Sequence, residues 1–346
     1  MRLQAVLMND TSGSRHFGCE RVVRVIGEQL RARDIELVAR SGVRQDWQRD
    51  RRFVEALSGC HVIVINGEGT LHHGSRHGRA LLEVAEHAAR QGAAIALVNA
   101  LYQENPPAWG RWLQKMDLVV ARDSWSAAEL TQATGRPVQA FGDLSLSAGA
   151  DEPGFTTRKR DLVVMGDSVY REVTQKLAQA GSGSTNVRLM PVTAAVMARQ
   201  PHFGPIRRYM ESVRLSAGAV MTRWRHPGFT LCRDEQHYLR ELGRTKLHVT
   251  GRFHGVCLSM VAGAPFLAVR SNSWKVEALL DDCGLGESRL VDVADLPAAL
   301  ARPDDFAFTP AEQEAIRSTL ERCQAGAAAM FDEIRGLAER VARHRG

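Results

Sequence analysis

The chain has no C-x-x-C pair, no apolar run approaching the length of a membrane span, no repeat of solenoid period, and few aromatic residues, 6%. Each shortage removes a class of protein. Cys19, Cys60, Cys232, Cys257, Cys283 and Cys323 are scattered, so they read as reduced, mostly buried thiols of a cytoplasmic protein and not as a disulfide framework or a thiolate metal centre. A membrane-spanning helix needs about 20 consecutive apolar residues, and none is present. The opening stretch Met1–Met8 is too short and interrupted to read as a signal peptide. Without a basic run interleaved with aromatics, a nucleic-acid platform is not expected.

What is present suits a globular α/β protein. At 346 residues, with 44% hydrophobic and 24% charged residues, the chain is too long for one ordinary core and fits two domains. The net charge of +6, carried far more by arginine than by lysine, suits an anionic ligand or an anionic membrane surface.

Apolar runs alternate with helix-period segments along the whole chain. Leu3–Met8, Ile35–Val38, His61–Ile65, Ala94–Val98, Leu118–Val120 and Val138–Phe141 read as strands of a first domain, residues 1–150. Helices are expected from Val22 to Leu30, from Arg79 to Gln91, and from Ala127 to Thr134 with Ser124 as its cap. Arg44–Arg52, with Trp47, reads as a solvated segment, and Asn99–Pro107 as a polar loop. Residues 151–160 are polar and charged and form the expected linker. A second series, residues 151–308, places strands at Asp161–Met165, Val187–Met190, Gly228–Leu231, Lys246–Val249 and Ala264–Val269. Asp234 or Glu235 opens a helix before Lys246. Thr309-Pro310-Ala311-Glu312 is a capping box with proline at the first helical position, so residues 309–346 form a C-terminal helix packing back across both domains, with Gly326 and Gly336 as weak points. The fold class is therefore α/β, with two Rossmann-like parallel-sheet domains facing a cleft.

The candidate chemistry collects at strand-to-helix turns. Thr250-Gly251-Arg252-Phe253-His254-Gly255 follows an apolar strand and precedes the apolar helix Val256–Val261. Arg252 offers a fork of donors for a carboxylate or phosphate, and His254 can carry a proton near neutral pH. Gly251 and Gly255 would let a ligand approach the backbone. Asn66-Gly67-Glu68-Gly69-Thr70 follows the strongest strand of the first half and makes an anion cradle that is neither a Walker loop nor G-x-G-x-x-G. Arg122 and Ser124 follow the next strand but one, and Lys275 opens the helix after Val269. The polar turn Asn9–Gly18 could hold substrate or serve as an ordinary loop. His72-His73 lacks a third ligand at suitable spacing, so no metal site is expected there.

Taken together these residues resemble the polysaccharide pyruvyl transferase family. Four blocks stand in the family's order: Asn66-Gly67-Glu68-Gly69-Thr70-Leu71, Ala121-Arg122-Asp123-Ser124-Trp125-Ser126, Gly142-Asp143-Leu144, and Gly251-Arg252-Phe253-His254-Gly255, the last running on through Ala262–Pro265 to Lys275-Val276. The family usually has three glycines in the first block, where Glu68 replaces the middle one. The resemblance implies a glycosyltransferase-B-like architecture, phosphoenolpyruvate as the donor substrate with no separate cofactor, a sugar or lipid-linked oligosaccharide as the acceptor, and a pyruvate ketal as the product. It implies donor binding or catalysis for Arg252 and His254, and donor binding for Arg122. Gly67, Glu68, Gly69, Thr70, Ser124, Gly251, Gly255 and Lys275 are the further expected substrate contacts. A cytoplasmic location, with peripheral contact at the inner face of a membrane, follows as an expectation. The alternatives are a nucleotide-sugar glycosyltransferase of the same architecture and a non-catalytic sugar- or anion-binding relative.

Overall fold

The structure is a computed structural model and describes residues 2–148, 160–181, 186–193 and 205–345. The expected linker lies almost wholly outside the described residues.

The first half supplies β1 (Leu3–Asp10), β2 (Ile35–Gly42), β3 (Val62–Asn66), β4 (Leu71–His72), β5 (Ala94–Ala100), β6 (Tyr102–Gln103), β7 (Leu118–Ala121) and β8 (Gln139–Ala140). Six of these form one parallel sheet in the order β2-β1-β3-β5-β7-β8, while β4 pairs with β6 in a small ribbon. The second half supplies β9 (Leu162–Ser168), β10 (Val187–Leu189), β11 (Thr245–Gly251) and β12 (Phe266–Ala268), a parallel sheet in the order β10-β9-β11-β12. The architecture is α/β with two Rossmann-like sheets, as the alternating pattern requires. In both sheets the chain leaves a strand to one side and then returns to its other side. The reversals fall between β1 and β3 and between β9 and β11. In open α/β sheets the crevice beyond the carboxyl ends at such a reversal is where ligands bind.

The chain divides into two compact units, one of Met1–Thr11, Val23–Ser147 and Arg322–Gly346, the other of Ser12–Val22 and Ala148–Glu321. The turn after β1 and the start of the helix Phe17–Arg31 thus cluster with the second half. In the first unit β3 and β5 are buried along their whole length, and Ile63, Ile65 and Leu97 share a core with Trp47, Trp112 and Leu113. In the second, Val163, Met165, Leu247 and Val249 pack on one side, and Val164, Tyr238 and Leu258 on the other.

Several local expectations are corrected. Arg44–Arg52 is largely exposed, as expected, but Trp47 within it is fully buried: its indole N–H donates to the Ala80 carbonyl at 2.8 Å, and Asp50 caps a helix Arg51–Gly59 that follows at once. Burial of one large indole outweighs the charges around it in sequence. The helix expected over Arg79–Gln91 ends at Leu82. His87 has extended backbone and caps a short 3-10 turn, after which Gln91 and Gly92 have φ of 46° and 75°. Asn99 and Ala100 continue β5, and Tyr102–Gln103 is a strand where a loop is expected. Gly228–Leu231 contributes only a single bridge between Phe229 and Leu189. The cap of the helix Ser124–Thr134 is Asp123, which accepts from the Ser126 N–H at 2.7 Å, so Ser124 is not the cap.

The C-terminal helix runs unbroken from Pro310 to Arg345. Its capping box forms as the sequence requires, with Thr309 N–H donating to Glu312 at 2.8 Å and Glu312 N–H donating to the Thr309 hydroxyl at 3.2 Å. Its first residues cluster with the second unit, where Glu312 also takes two bonds of 2.7 Å from Arg289, and the residues from Arg322 onward cluster with the first. There Arg33 donates to Asp332 and to the Ala328 carbonyl, each at 2.8 Å. Gly326 is not a weak point but a packing requirement: a Cβ there would lie 2.7 Å from the Phe141 side chain, whereas one on Gly336 would meet nothing closer than 3.6 Å. Two alanine substitutions in one helix should therefore have opposite signs. Gly336→Ala should stabilise by up to about 1 kcal/mol through helix propensity, and Gly326→Ala should destabilise by about 1–3 kcal/mol through overpacking. Urea titrations of both variants check this; equal shifts would contradict the packing described.

Candidate active site

Within the second unit, the reversal between β9 and β11 brings together residues far apart in sequence. Gly251 ends β11 opposite Ser168 of β9. Arg252 is the N-cap of the helix Phe253–Val261 and His254 sits in its first turn. Arg252 donates from Nε to Asp167 Oδ2 at 2.8 Å. Asp167 is itself fixed, accepting from Val192 N–H at 2.8 Å and from the Thr193 hydroxyl at 3.0 Å. One face of the guanidinium is thus held while the arginine side chain stays partly exposed. A fork anchored at Nε leaves its terminal nitrogens to face an anion.

The turn after β1 completes the cluster. His16 and His254 meet edge to face with ring centroids 5.0 Å apart, and Cys19 Sγ lies 4.0 Å from His254 Nδ1. Both residues lie at the start of the helix Phe17–Arg31, so two helix N-termini end on one spot, where free N–H groups favour negative charge. Burial first, then the nearby His254, Arg252 and Lys275, hold the His16 imidazole well below its ordinary value of 6.5. Lys275 also donates to Asn272 at 2.8 Å. Among the described residues, His16, Cys19 and His254 form a group with metal-ligand atoms all within 4.8 Å of one another. The positive charges that depress His16 oppose a divalent cation there and favour an anion.

The glycines of this motif also meet a packing requirement. A Cβ on Gly251 would lie 2.7 Å from Ser168, and one on Gly255 would lie 2.4 Å from the Thr250 hydroxyl. Both are small where strand, strand and helix close on one another. Gly18 plays the same part, since its Cβ would fall 2.2 Å from the His254 ring. His254 itself is not an exposed loop residue: it is 5% exposed and enclosed by a helix.

The remaining expected residues lie in the first unit, at the carboxyl edge of its own sheet. Glu68 is buried and accepts from the Thr11 hydroxyl at 2.7 Å and from Asn66 Nδ2 at 3.2 Å. Asn9 Nδ2 donates to the Asn66 carbonyl at 2.7 Å and to the Thr70 hydroxyl at 3.1 Å. Where the family usually has glycine, Glu68 therefore ties β1 to β3 at the reversal of that sheet. Gly67 packs on Ala100, where a Cβ would come within 2.6 Å of the backbone, and the exposed Gly69 takes a φ of +59°. Arg122 is buried, 3.5 Å from Asp143 and 3.7 Å from Asp123, and Ser124 is exposed on the helix that follows. Asp143 is fixed by the Ser145 N–H at 2.8 Å. The arginine expected to bind the donor is thus buried beside two carboxylates.

Residues 43–273, well over half of the chain, match the family model for polysaccharide pyruvyl transferase. The chain belongs to that family. No curated protein matches it by sequence. Among solved structures, a protein assigned as a UDP-N-acetylglucosamine 2-epimerase from Listeria monocytogenes aligns with a TM-score of 0.51 at 12% identity, over 95% of this chain and 94% of that one. A glycosyltransferase from Rickettsia africae aligns at 0.50 with 7% identity, over 99% of each. At such identities the likeness is one of fold, and it is the glycosyltransferase-B-like fold implied by the family motifs.

Sequence reasoning missed Asp167 and Cys19 and left His16 undecided. Asp167 had a visible signal, a carboxylate two residues beyond the apolar run Leu162–Met165. Beneath the motif, β11 carries His248, fully buried, with Nδ1 2.7 Å from the Ser259 hydroxyl and a pKa pushed down by burial to about 3. A histidine neutral in the fold but titrating near 6.5 when unfolded leaves stability intact above about pH 6.5 and removes it as pH falls from there towards 3. At pH 5 the loss from this group should be about 2 kcal/mol. Denaturant titrations at pH 7 and pH 5 should show a smaller acid loss in His248→Asn than in the unsubstituted protein; equal losses would place the acid sensitivity elsewhere.

Proposed function

We propose that the protein transfers the three-carbon pyruvyl unit of phosphoenolpyruvate to a sugar, forming a pyruvate ketal on a cell-surface polysaccharide or its lipid-linked precursor. The observation that carries this reading is the pairing, within a family of pyruvyl transferases, of an anchored Arg252 with a buried His254 at the mouths of two helices. The donor has a carboxylate and a phosphate, and charge-assisted bonds from Arg252, with the nearby charge of Lys275, suit those groups. One sugar hydroxyl adds at carbon 2 while carbon 3 takes a proton. A second hydroxyl then replaces phosphate at carbon 2, closing the ketal and releasing inorganic phosphate. His254 can supply or accept a proton in these steps, and neutral His16 against its ring keeps a second proton carrier in reach. A lipid-linked acceptor would place the reaction at the cytoplasmic face of a membrane.

The roles of Arg252 and His254 should separate in steady-state kinetics of phosphate release with phosphoenolpyruvate and a competent acceptor. Arg252→Gln should chiefly raise the donor KM, since the charges it holds exist before reaction. His254→Gln should lower kcat by about 10²–10⁴-fold, the range for a lost general acid or base. Because His254 is buried, melting curves must accompany the kinetics. A folded His254→Gln protein with unchanged turnover would remove the imidazole from the chemistry.

A further inference from the structure

The helix Pro205–Arg225 carries an unusual surface. Ile206, Tyr209, Met210, Val213, Val220 and Trp224, with Met221 beside them, are 50–85% exposed. At 100° per residue all seven fall within an arc of about 120°, a continuous apolar stripe along a single face. In a water-soluble helix that stripe would be the buried one. Its borders are basic: Arg214 and Arg225 flank one side of the arc and Arg223 the other, and all three are exposed. The helix sequence holds five arginines against one glutamate. Tyr209 and Trp224 stand near its two ends, the positions where amphipathic rings sit well at a water–lipid boundary.

We propose that this helix is a membrane-docking element that lies in the plane of an anionic lipid surface, its apolar stripe entering the acyl boundary and its arginines meeting the headgroups. Two features favour lipid over a protein partner or a second copy. A stripe edged by arginine on both sides complements an anionic plane, whereas two such helices face to face would set like charges against each other. Tyr209 and Trp224 near the helix ends, both strongly exposed, suit a water–lipid boundary in the same way. The inference stands apart from the transfer chemistry and is tested without donor or acceptor.

The test is co-flotation of the purified full chain with vesicles of phosphatidylcholine alone and of phosphatidylcholine with phosphatidylglycerol. Binding should require phosphatidylglycerol and weaken as salt is raised. Replacing both Val213→Glu and Met221→Glu should abolish it. Arg214→Gln, Arg223→Gln and Arg225→Gln should each lower partitioning about fivefold. All five side chains are exposed, so melting temperatures should stay unchanged, which separates loss of binding from loss of fold. Equal binding to both vesicle types would overturn the proposal. So would undiminished binding by the double glutamate variant, which would leave only the general attraction of a chain with a net charge of +6. A protein that ignores vesicles but forms a dimer broken by the glutamates would make the stripe an interface between copies.

Discussion

The cluster at the end of β11 depends on an ion pair across two neighbouring strands. Asp167 near the end of β9 and Arg252 just after the end of β11 meet at 2.8 Å where the sheet reverses its order. A carboxylate that already accepts from Val192 N–H and Thr193 cannot easily turn away, so the guanidinium inherits its position. A partly buried pair of this kind adds little net stability, because desolvation offsets most of the attraction. Its value is geometric: it fixes a cation beside an imidazole at the mouths of two helices.

The small residues follow from the same demand for closeness. Gly251 lets β11 approach Ser168, Gly255 lets the helix approach Thr250, and Gly18 lets the helix Phe17–Arg31 approach His254. The first unit solves a related problem with hydrogen bonds. Asn9, Asn66, Glu68 and Thr70 knit β1 to β3 at that sheet's reversal, and Arg122 is enclosed by Asp123 and Asp143. Polar groups buried at a sheet's carboxyl edge must be satisfied locally, and each of these bonds serves that need.

Much of the fold was legible because buried parallel strands write themselves as continuous apolar runs. His61–Ile65 and Ala94–Val98 are examples, and their true ends lie within two residues of the pattern. The capping box at Thr309 was legible for the same reason, since its chemistry is local. What stayed hidden depends on distance in sequence. Trp47 sits among charges and is buried by partners from other elements. Asp167 lies 85 residues from Arg252, and His16 and Cys19 lie more than two hundred from His254. The motif glycines were visible, but their packing role was not, because only the packed structure shows what a Cβ would strike. The exposed apolar stripe of the helix Pro205–Arg225 was hidden because reading it required knowing which face the fold leaves open.

We propose that the cluster around Arg252 is the donor site. Calorimetric titration of the purified protein with phosphoenolpyruvate tests it most directly, with no acceptor needed. One equivalent should bind to the unsubstituted chain, with binding lost in Arg252→Gln and weakened in Asp167→Asn, and all three proteins should melt alike. Binding of equal strength in Arg252→Gln, or no binding of phosphoenolpyruvate by the unsubstituted chain, would contradict it.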